Sequence, residues 1–340
     1  MKQTALAIAK ALGGFEIARR ANSRSLRILC YHGLWISPGE PFGECLFMPV
    51  AQFEARMAWL AQSAYSVLDL DEAIVRLAAD TLPNNPVVIT IDDGWRSTST
   101  HMVSILRKYN LPATLYASTY YVQKNAMVVN VAISFILHHS NLIEIDVGGI
   151  AQTFPPHVFP IGNNADIKTA TDVIKLVIDD LPSLDEREVA IFELARRAGV
   201  VLEPFVDQFR YMSPAELFGI ANNGIRIELH THRHQSVNRI DSDLPKEIQD
   251  NYEALVSLGL TREFRHFCYP SGDTVAGVDT ILATLGIASA TTTRRQINPP
   301  KCNPYFLGRL LDGHRVSQLD FEAYLSGALQ LTDFQRASIF

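Results

Sequence analysis

The stretch Pro86-Val87-Val88-Ile89-Thr90-Ile91-Asp92-Asp93-Gly94-Trp95 joins an apolar, largely β-branched run to two carboxylates and a glycine. A continuous run of this kind, rather than an alternating one, is what a parallel strand covered on both faces requires. The acids then stand at the C-terminal end of the strand, where α/β barrels gather their reactive groups. Successive residues leaving a strand point in different directions, so Asp92 and Asp93 can serve one site in two ways. One carboxylate can hold a metal while the other takes a proton.

Further along, His230-Thr231-His232-Arg233-His234 supplies two imidazoles four residues apart, which share a face on helical or tightly turned backbone. Neutral imidazoles suit zinc or a similar borderline ion. One Asp with His230 and His234 makes three protein ligands and leaves positions open for water and substrate, the pattern of a catalytic metal site. His232, between the two ligands, is expected to face away.

The segments before and after extend the pattern. Thr90 to Trp95 is similar to the Thr-Phe-Asp-Asp-Gly motif of the polysaccharide deacetylases, the NodB-homology domains of carbohydrate esterase family 4, and His230 to His234 to their His-[Ser/Thr]-x-x-His motif. Phe267-Cys268-Tyr269-Pro270-Ser271-Gly272 resembles the family's third loop, and Tyr31-His32-Gly33, Leu111-Pro112-Ala113-Thr114 and Leu307-Gly308-Arg309 fall in family order around these. Each motif alone would read as a turn or a solvated loop; their joint occurrence in this order makes the chain resemble the family over residues 27–329.

That resemblance implies an α/β fold, a distorted (β/α)7 barrel of NodB-homology type, and metal-dependent hydrolysis of N-acetyl groups on an amino sugar. It implies Asp93, His230 and His234 as ligands of a divalent metal, zinc first, and Asp92 as general base. The oxyanion would be met by the metal and by the backbone N–H of Ser271, since Pro270 has none to offer. Trp95, Tyr269 and Pro270 are candidate substrate contacts. Two departures stand out. Cys268 occupies the position where many members carry an arginine paired with the catalytic Asp, and Arg309 or Arg265 is expected to replace it; Arg309, reaching the rim, would hold Asp92 ionised and oriented. No clear late Leu-x-Leu-His motif is present, so His314 is the nearest candidate general acid, with His32 a second imidazole on the rim.

Strand-like runs recur at residues 27–31, 65–68, 87–91, 114–117, 225–229, 264–269 and 288–291. Helical patterns intervene at 50–62, 71–79, 98–109, 214–222, 244–258 and 275–285. This alternation argues for a parallel sheet. Residues 121–218 are too long for an ordinary connection and read as a largely helical insertion, with helices at 126–138, 165–179 and 185–198, serving substrate specificity or capping the barrel. Flanking the barrel are a helical segment at 1–26 and a tail at 330–340.

Composition narrows the partners. With 30 Lys and Arg against 36 Asp and Glu, the net charge of −6 and the absence of a long basic run argue against nucleic acid. Four cysteines without C-x-x-C spacing read as reduced thiols. Lys10 cuts short the apolar stretch near the start, so no signal peptide is read, and a cytoplasmic location follows. Residues 1–20, with Leu6, Ala9, Leu12 and Phe15 in helical period, allow docking on the barrel or peripheral contact with the inner face of a membrane. The expected substrate is an N-acetylated amino-sugar glycan or lipid-linked saccharide. Hydrolysis of another small amide, such as a formamide or cyclic ureide, and glycan binding without catalysis are the alternatives.

Overall fold

Burial of all eight residues of Pro86–Asp93 makes this strand the spine of the molecule. The computed structural model describes residues 2–151, 155–238, 243–261 and 263–330. The main sheet has eight strands, seven of them along its main path: β1 Arg27–Tyr31, β2 Pro86–Asp93, β3 Thr114–Ala117, β4 Arg226–Leu229, β5 His266–Cys268, β6 Ser289–Thr291 and β7 Leu310–Leu311. Their spatial order is β6-β5-β4-β3-β2-β1-β7, with every pairing parallel. Leu307, just ahead of β7, bridges Thr291 at the end of β6, so the two edges meet and the sheet curls into a barrel-like form. Parallel strands need covering helices on the outer face, and Val50–Gln62, Leu70–Ala79, Val103–Lys108, Pro214–Asn222 and Leu244–Ser257 contribute to this layer.

One expected strand is shorter than read and lies off the main path. Residues 65–68 yield only Ser66–Val67, paired to the first two residues of β2 and off the main strand order. The seventh place belongs instead to Leu310–Leu311, too short to carry any period of its own and defined by its pairing with Leu29 and Cys30. The expected helix at 98–109 begins as a π-helical turn, Thr98–Met102, before Val103–Lys108.

The insertion is helical as read, with Val129–His139, Asn164–Asp179 and Leu184–Ala198. Side chains of Asn163 and Ser183 cap the last two by accepting from the N–H of Asp166 and Glu186. Between the first two helices the chain adds an antiparallel pair, Glu144–Asp146 with Val158–Pro160, which the periodicity had not indicated. The insertion returns to the barrel beside the loop after β2: Met212 donates to the Gly94 carbonyl, and Trp95 and Tyr211 form an antiparallel bridge.

At the start of the chain the single expected helix is two, Lys2–Ala11 and Gly14–Ala21, broken at Gly13, whose φ of 77° is readily reached without a Cβ. Leu6 and Phe15 pack on Ala323 of the helix Gln318–Ser326, and Lys2 and Lys10 pair with Asp320 and Glu322. Of the expected tail, residues 331–340 lie outside the described residues.

Candidate active site

The ends of β2 and β4 deliver the central groups. Asp93 ends β2, and His230 follows β4 directly. The chain then turns tightly, with Thr231 at φ 61° and His234 at φ 53°, so that His234 comes back over His230, the ring centroids 4.9 Å apart. Asp93 itself has φ 75°. Positive φ at three non-glycine residues costs energy, and such conformations gather where the surrounding structure holds a site in shape.

Asp93 Oδ1 lies 3.2 Å from His230 Nε2 and 3.2 Å from His234 Nε2. This oxygen is buried and has no hydrogen-bond partner in the described residues. Its partner Oδ2 accepts from the Trp95 indole N–H at 2.8 Å. His230 Nδ1 is 2.8 Å from the carbonyl of Cys268. A carbonyl can only accept, so Nδ1 carries a proton and Nε2 is the ring nitrogen that faces Asp93. One carboxylate oxygen and two imidazole nitrogens therefore converge within 4.8 Å of one another. A buried carboxylate oxygen with two imidazole nitrogens around it is a ligand set suited to a cation.

Asp92 faces a different environment. Arg309 Nη1 donates to its Oδ1 at 2.8 Å and Nη2 to its Oδ2 at 2.7 Å, a two-point clamp. The guanidinium is wholly buried, and its Nε donates to the Thr292 carbonyl at 2.9 Å. The thiols of Cys30 and Cys268 reach Oδ2 at 3.3 and 3.4 Å, and His32 Nε2 stands 3.9 Å from it. Burial alone would push the Asp92 carboxyl up; the Arg309 guanidinium outweighs it and holds the group well below the usual carboxylate range. Arg309 thus lies where the arginine absent at Cys268 was expected to act. No contact joins Arg265 to Asp92; its backbone N–H donates to Glu228 near the other end of the barrel.

The three expected substrate contacts lie buried. Trp95 is 1% exposed, lies between Phe47 and Tyr211, and its indole supports the Asp93 carboxylate. Tyr269 is 0% exposed and donates its hydroxyl to the Tyr305 carbonyl, and Pro270 is buried beside it. What these two do is brace the loop. Above them Ser271 is exposed at φ 60°, and a Cβ on Gly272 would come within 2.6 Å of the Thr293 backbone nitrogen. His314 follows β7 on the same rim as His32, partly buried, its Nδ1 without a hydrogen-bond partner among the described residues. Among the described residues, no ion pair or hydrogen bond joins it to the Asp93 cluster. His232 turns away, its Nδ1 2.8 Å from Thr119 Oγ1.

Two supports escaped the sequence reading. Asn251, wholly buried, accepts from the His230 N–H at 2.9 Å and donates to the Ala117 carbonyl and Thr119 Oγ1. Ser118 donates its hydroxyl to the His230 carbonyl and its N–H to the Asp93 carbonyl, tying both ligand segments to β3. A signal for Asn251 existed: it falls in helical period with buried Leu244, Ile248 and Leu255, where an amide must be meeting a polar partner.

With this geometry in place, comparison with known proteins is direct. A family model described as polysaccharide deacetylase matches residues 79–140 and 154–290. The Bacillus subtilis (strain 168) protein YxkH, named provisionally as a polysaccharide deacetylase, is 35% identical over 92 residues, 27% of this chain and 31% of that protein. The chain therefore aligns with less than a third of that relative. Among solved structures, the Streptococcus pyogenes deacetylase PplD in complex with acetate superposes with a TM-score of 0.58 at 15% identity, over 88% of this chain and 98% of that one. IcaB from Ammonifex degensii gives 0.56 at 19% identity, over 89% and 97%. The Bacillus cereus polysaccharide deacetylase BC0361 gives 0.54 at 16%, over 89% and 69%. At these identities the likeness is one of fold.

Proposed function

Because this chain belongs to the polysaccharide deacetylase family, we propose that it is a metal-dependent hydrolase that removes N-acetyl groups from an amino-sugar glycan or a glycan precursor, such as a lipid-linked saccharide. The observation that carries the reading is the convergence of His230 Nε2 and His234 Nε2 on Asp93 Oδ1, three ligand atoms of which the oxygen is buried and otherwise unpaired. This donor set fits a divalent ion, zinc first among them. Such an ion, when bound, supplies Lewis acidity to the amide carbonyl and to a water.

The remaining work falls to the chain. Asp92, oriented by the Arg309 clamp, accepts a proton from the attacking water as its oxygen bonds to the acetyl carbon. The Ser271 N–H, presented by the loop that Tyr269 and Pro270 brace, donates to the oxygen that gains charge. The C–N bond then breaks, and a rim imidazole, His314 or His32, returns a proton to the leaving amine. Acetate and a free amino sugar are the products. The Cys268 carbonyl and Asn251 keep His230 in the tautomer and orientation the site needs.

The test is metal content of the purified protein combined with acetate release from a panel of N-acetylated saccharides, with a formamide and a cyclic ureide included. Stoichiometric divalent metal with acetate release supports the reading. Turnover confined to the formamide or ureide would reassign the substrate, and glycan binding with no release from any compound would make the barrel a binding module.

The same reading places the enzyme in the cytoplasm, against the inner face of a membrane. No described helix is long and apolar enough to cross one. Yet Ile8, Leu12 and Ile17 are 55%, 79% and 68% exposed on the leading helices, beside Arg20. Co-sedimentation with anionic vesicles, abolished by Leu12→Asp, would support this placement; equal recovery of the two proteins would remove it.

A further inference from the structure

At the opposite end of the barrel a cavity of about 550 Å3 opens between the leading helices, the end of Val50–Gln62 and the helix Gln318–Ser326. Its volume is within the range of ligand sites, about 300–1,000 Å3. Tyr65 on its wall immediately precedes Ser66, which pairs with Pro86 at the start of β2, whereas Asp93 ends that strand. At about 3.3 Å per residue the two sites are on the order of 20 Å apart. The cavity is not part of the Asp93 cluster.

Its chemistry selects a class of ligand. Trp59 and Tyr65 line it with rings 5.9 Å apart and inclined by 37°, both partly exposed. Trp59 is held by an edge-to-face contact with buried Phe321, and Tyr65 by the Arg27 guanidinium 5.7 Å from its ring centroid. Neither the indole N–H nor the Tyr65 hydroxyl has a hydrogen-bond partner among the described residues. Two fixed aromatic rings with free polar tips suit a ligand that is apolar on its faces and hydroxylated at its edges.

The rim excludes the alternatives. Lys10 is paired with Glu322 and Arg19 with Glu16, so the four charged groups lining the cavity balance. An anionic ligand gains no net attraction there, and a purely apolar one would have to strip water from both ion pairs. A hydroxyl-rich neutral ligand can accept from the cations and donate to the carboxylates without breaking either pair. We infer that this cavity is a second carbohydrate-binding site, which holds a distant stretch of the glycan whose N-acetyl groups the Asp93 site removes. The inference rests on the function proposed above. Tethering the polymer at one end raises its effective concentration at the other, so the site matters for long substrates and not for short ones.

Titration with tetra-N-acetylchitotetraose, followed by indole emission and calorimetry, tests it on the full-length protein. Trp59→Ala should weaken one class of binding by roughly tenfold, about 1.4 kcal/mol, and raise KM for partially N-acetylated chitosan. Turnover of a single N-acetylglucosaminide should be unchanged. Trp59→Phe keeps the contact with Phe321 and should restore most of the binding. Ala64→Trp fills the cavity from an exposed position without removing either ring, and should abolish that class even if Trp59→Ala proves unstable. Unchanged titration and unchanged KM for the polymer in Ala64→Trp would overturn the site. Failure of the wild-type protein to release acetate would instead defeat the proposed reaction, leaving the direct titration to decide the second site alone.

Discussion

Both ends of the barrel bury charge, but in opposite ways. At the N-terminal end of the strands, Glu228 is wholly buried and accepts from the N–H groups of Arg265 and His266 and from Arg226 Nε. His266 is also wholly buried, with Nδ1 on Ser289 Oγ and Nε2 on Asp71. Both the Glu228 carboxylate and the His266 ring are fully partnered. At the C-terminal end, Asp93 Oδ1 is buried and unpaired between two imidazole nitrogens, on backbone held at positive φ. Satisfaction is what structural polar groups require, and Asp93 Oδ1 differs from other unpaired buried atoms in having two imidazole nitrogens converge on it, a donor set suited to a cation. Asp92 belongs to the reactive end by position and to the satisfied kind by contact, because Arg309 closes both of its oxygens.

Breaking the unsatisfied cluster should have the largest consequence. His230→Ala is expected to lose bound metal and to lower turnover by about 10³-fold or more, the scale of several kcal/mol of transition-state stabilisation. The barrel should remain folded by circular dichroism. Undiminished metal in that variant would end the ligand assignment.

Asp92→Asn sharpens the division of labour between adjacent carboxylates. It should keep its metal and turn over roughly 10²–10⁴-fold more slowly, the range for losing a general base. Should it be the metal that disappears, with Asp93→Asn retaining it, the two roles are reversed.

Arg309→Met separates position from satisfaction. Without the guanidinium, burial dominates the Asp92 carboxyl and raises it, so the acid limb of the pH–rate profile should move to higher pH. Because both partners are buried, the variant should also lose about 3–5 kcal/mol of stability, read from denaturant midpoints. Unmoved acid limb and near wild-type turnover would show that the clamp does not act on the base.

The smallest effect is at the satisfied end. Burial and the nearby Arg226 lower His266 to about 4, against the Asp71 carboxylate, from an ordinary 6.5. The folded protein therefore refuses a proton that the unfolded chain accepts, so this contribution is complete above pH 6.5 and is lost as pH falls toward 4. Over that window it is on the order of 3 kcal/mol. Glu228, raised by burial to about 7, acts in the opposite sense, losing stability as pH rises from 4.5 to 7. The difference between wild type and His266→Gln isolates the histidine: it should shrink steadily on acidification, and a constant difference from pH 7 to pH 4 would refute the shift.

Much of this was readable without coordinates, and the reasons differ by segment. An eight-residue apolar strand with its acids at one end, helices such as Val50–Gln62 and Pro214–Asn222 with clear period, and the family order of the motifs are local properties, legible because strand and helix periods are imposed residue by residue. The pairing of Arg309 with Asp92 was anticipated from an absence at Cys268, but that it engages both oxygens from full burial came only from the fold. Exposure was the least legible quantity. Trp95, Tyr269 and Pro270 sit in motif segments and were read as ligand contacts, yet Phe47, Tyr211 and Tyr305, brought in from distant parts of the chain, cover or anchor them. The closing strand Leu310–Leu311, the support of His230 by Asn251 and the cavity beside Trp59 share that origin. The sequence determined which chemistry this chain carries and on which strand ends, since those depend on residue type and short-range period. Tertiary structure alone decided which groups are clamped, which are covered and which face open space, because burial and hydrogen-bond satisfaction are set by partners far away in the chain.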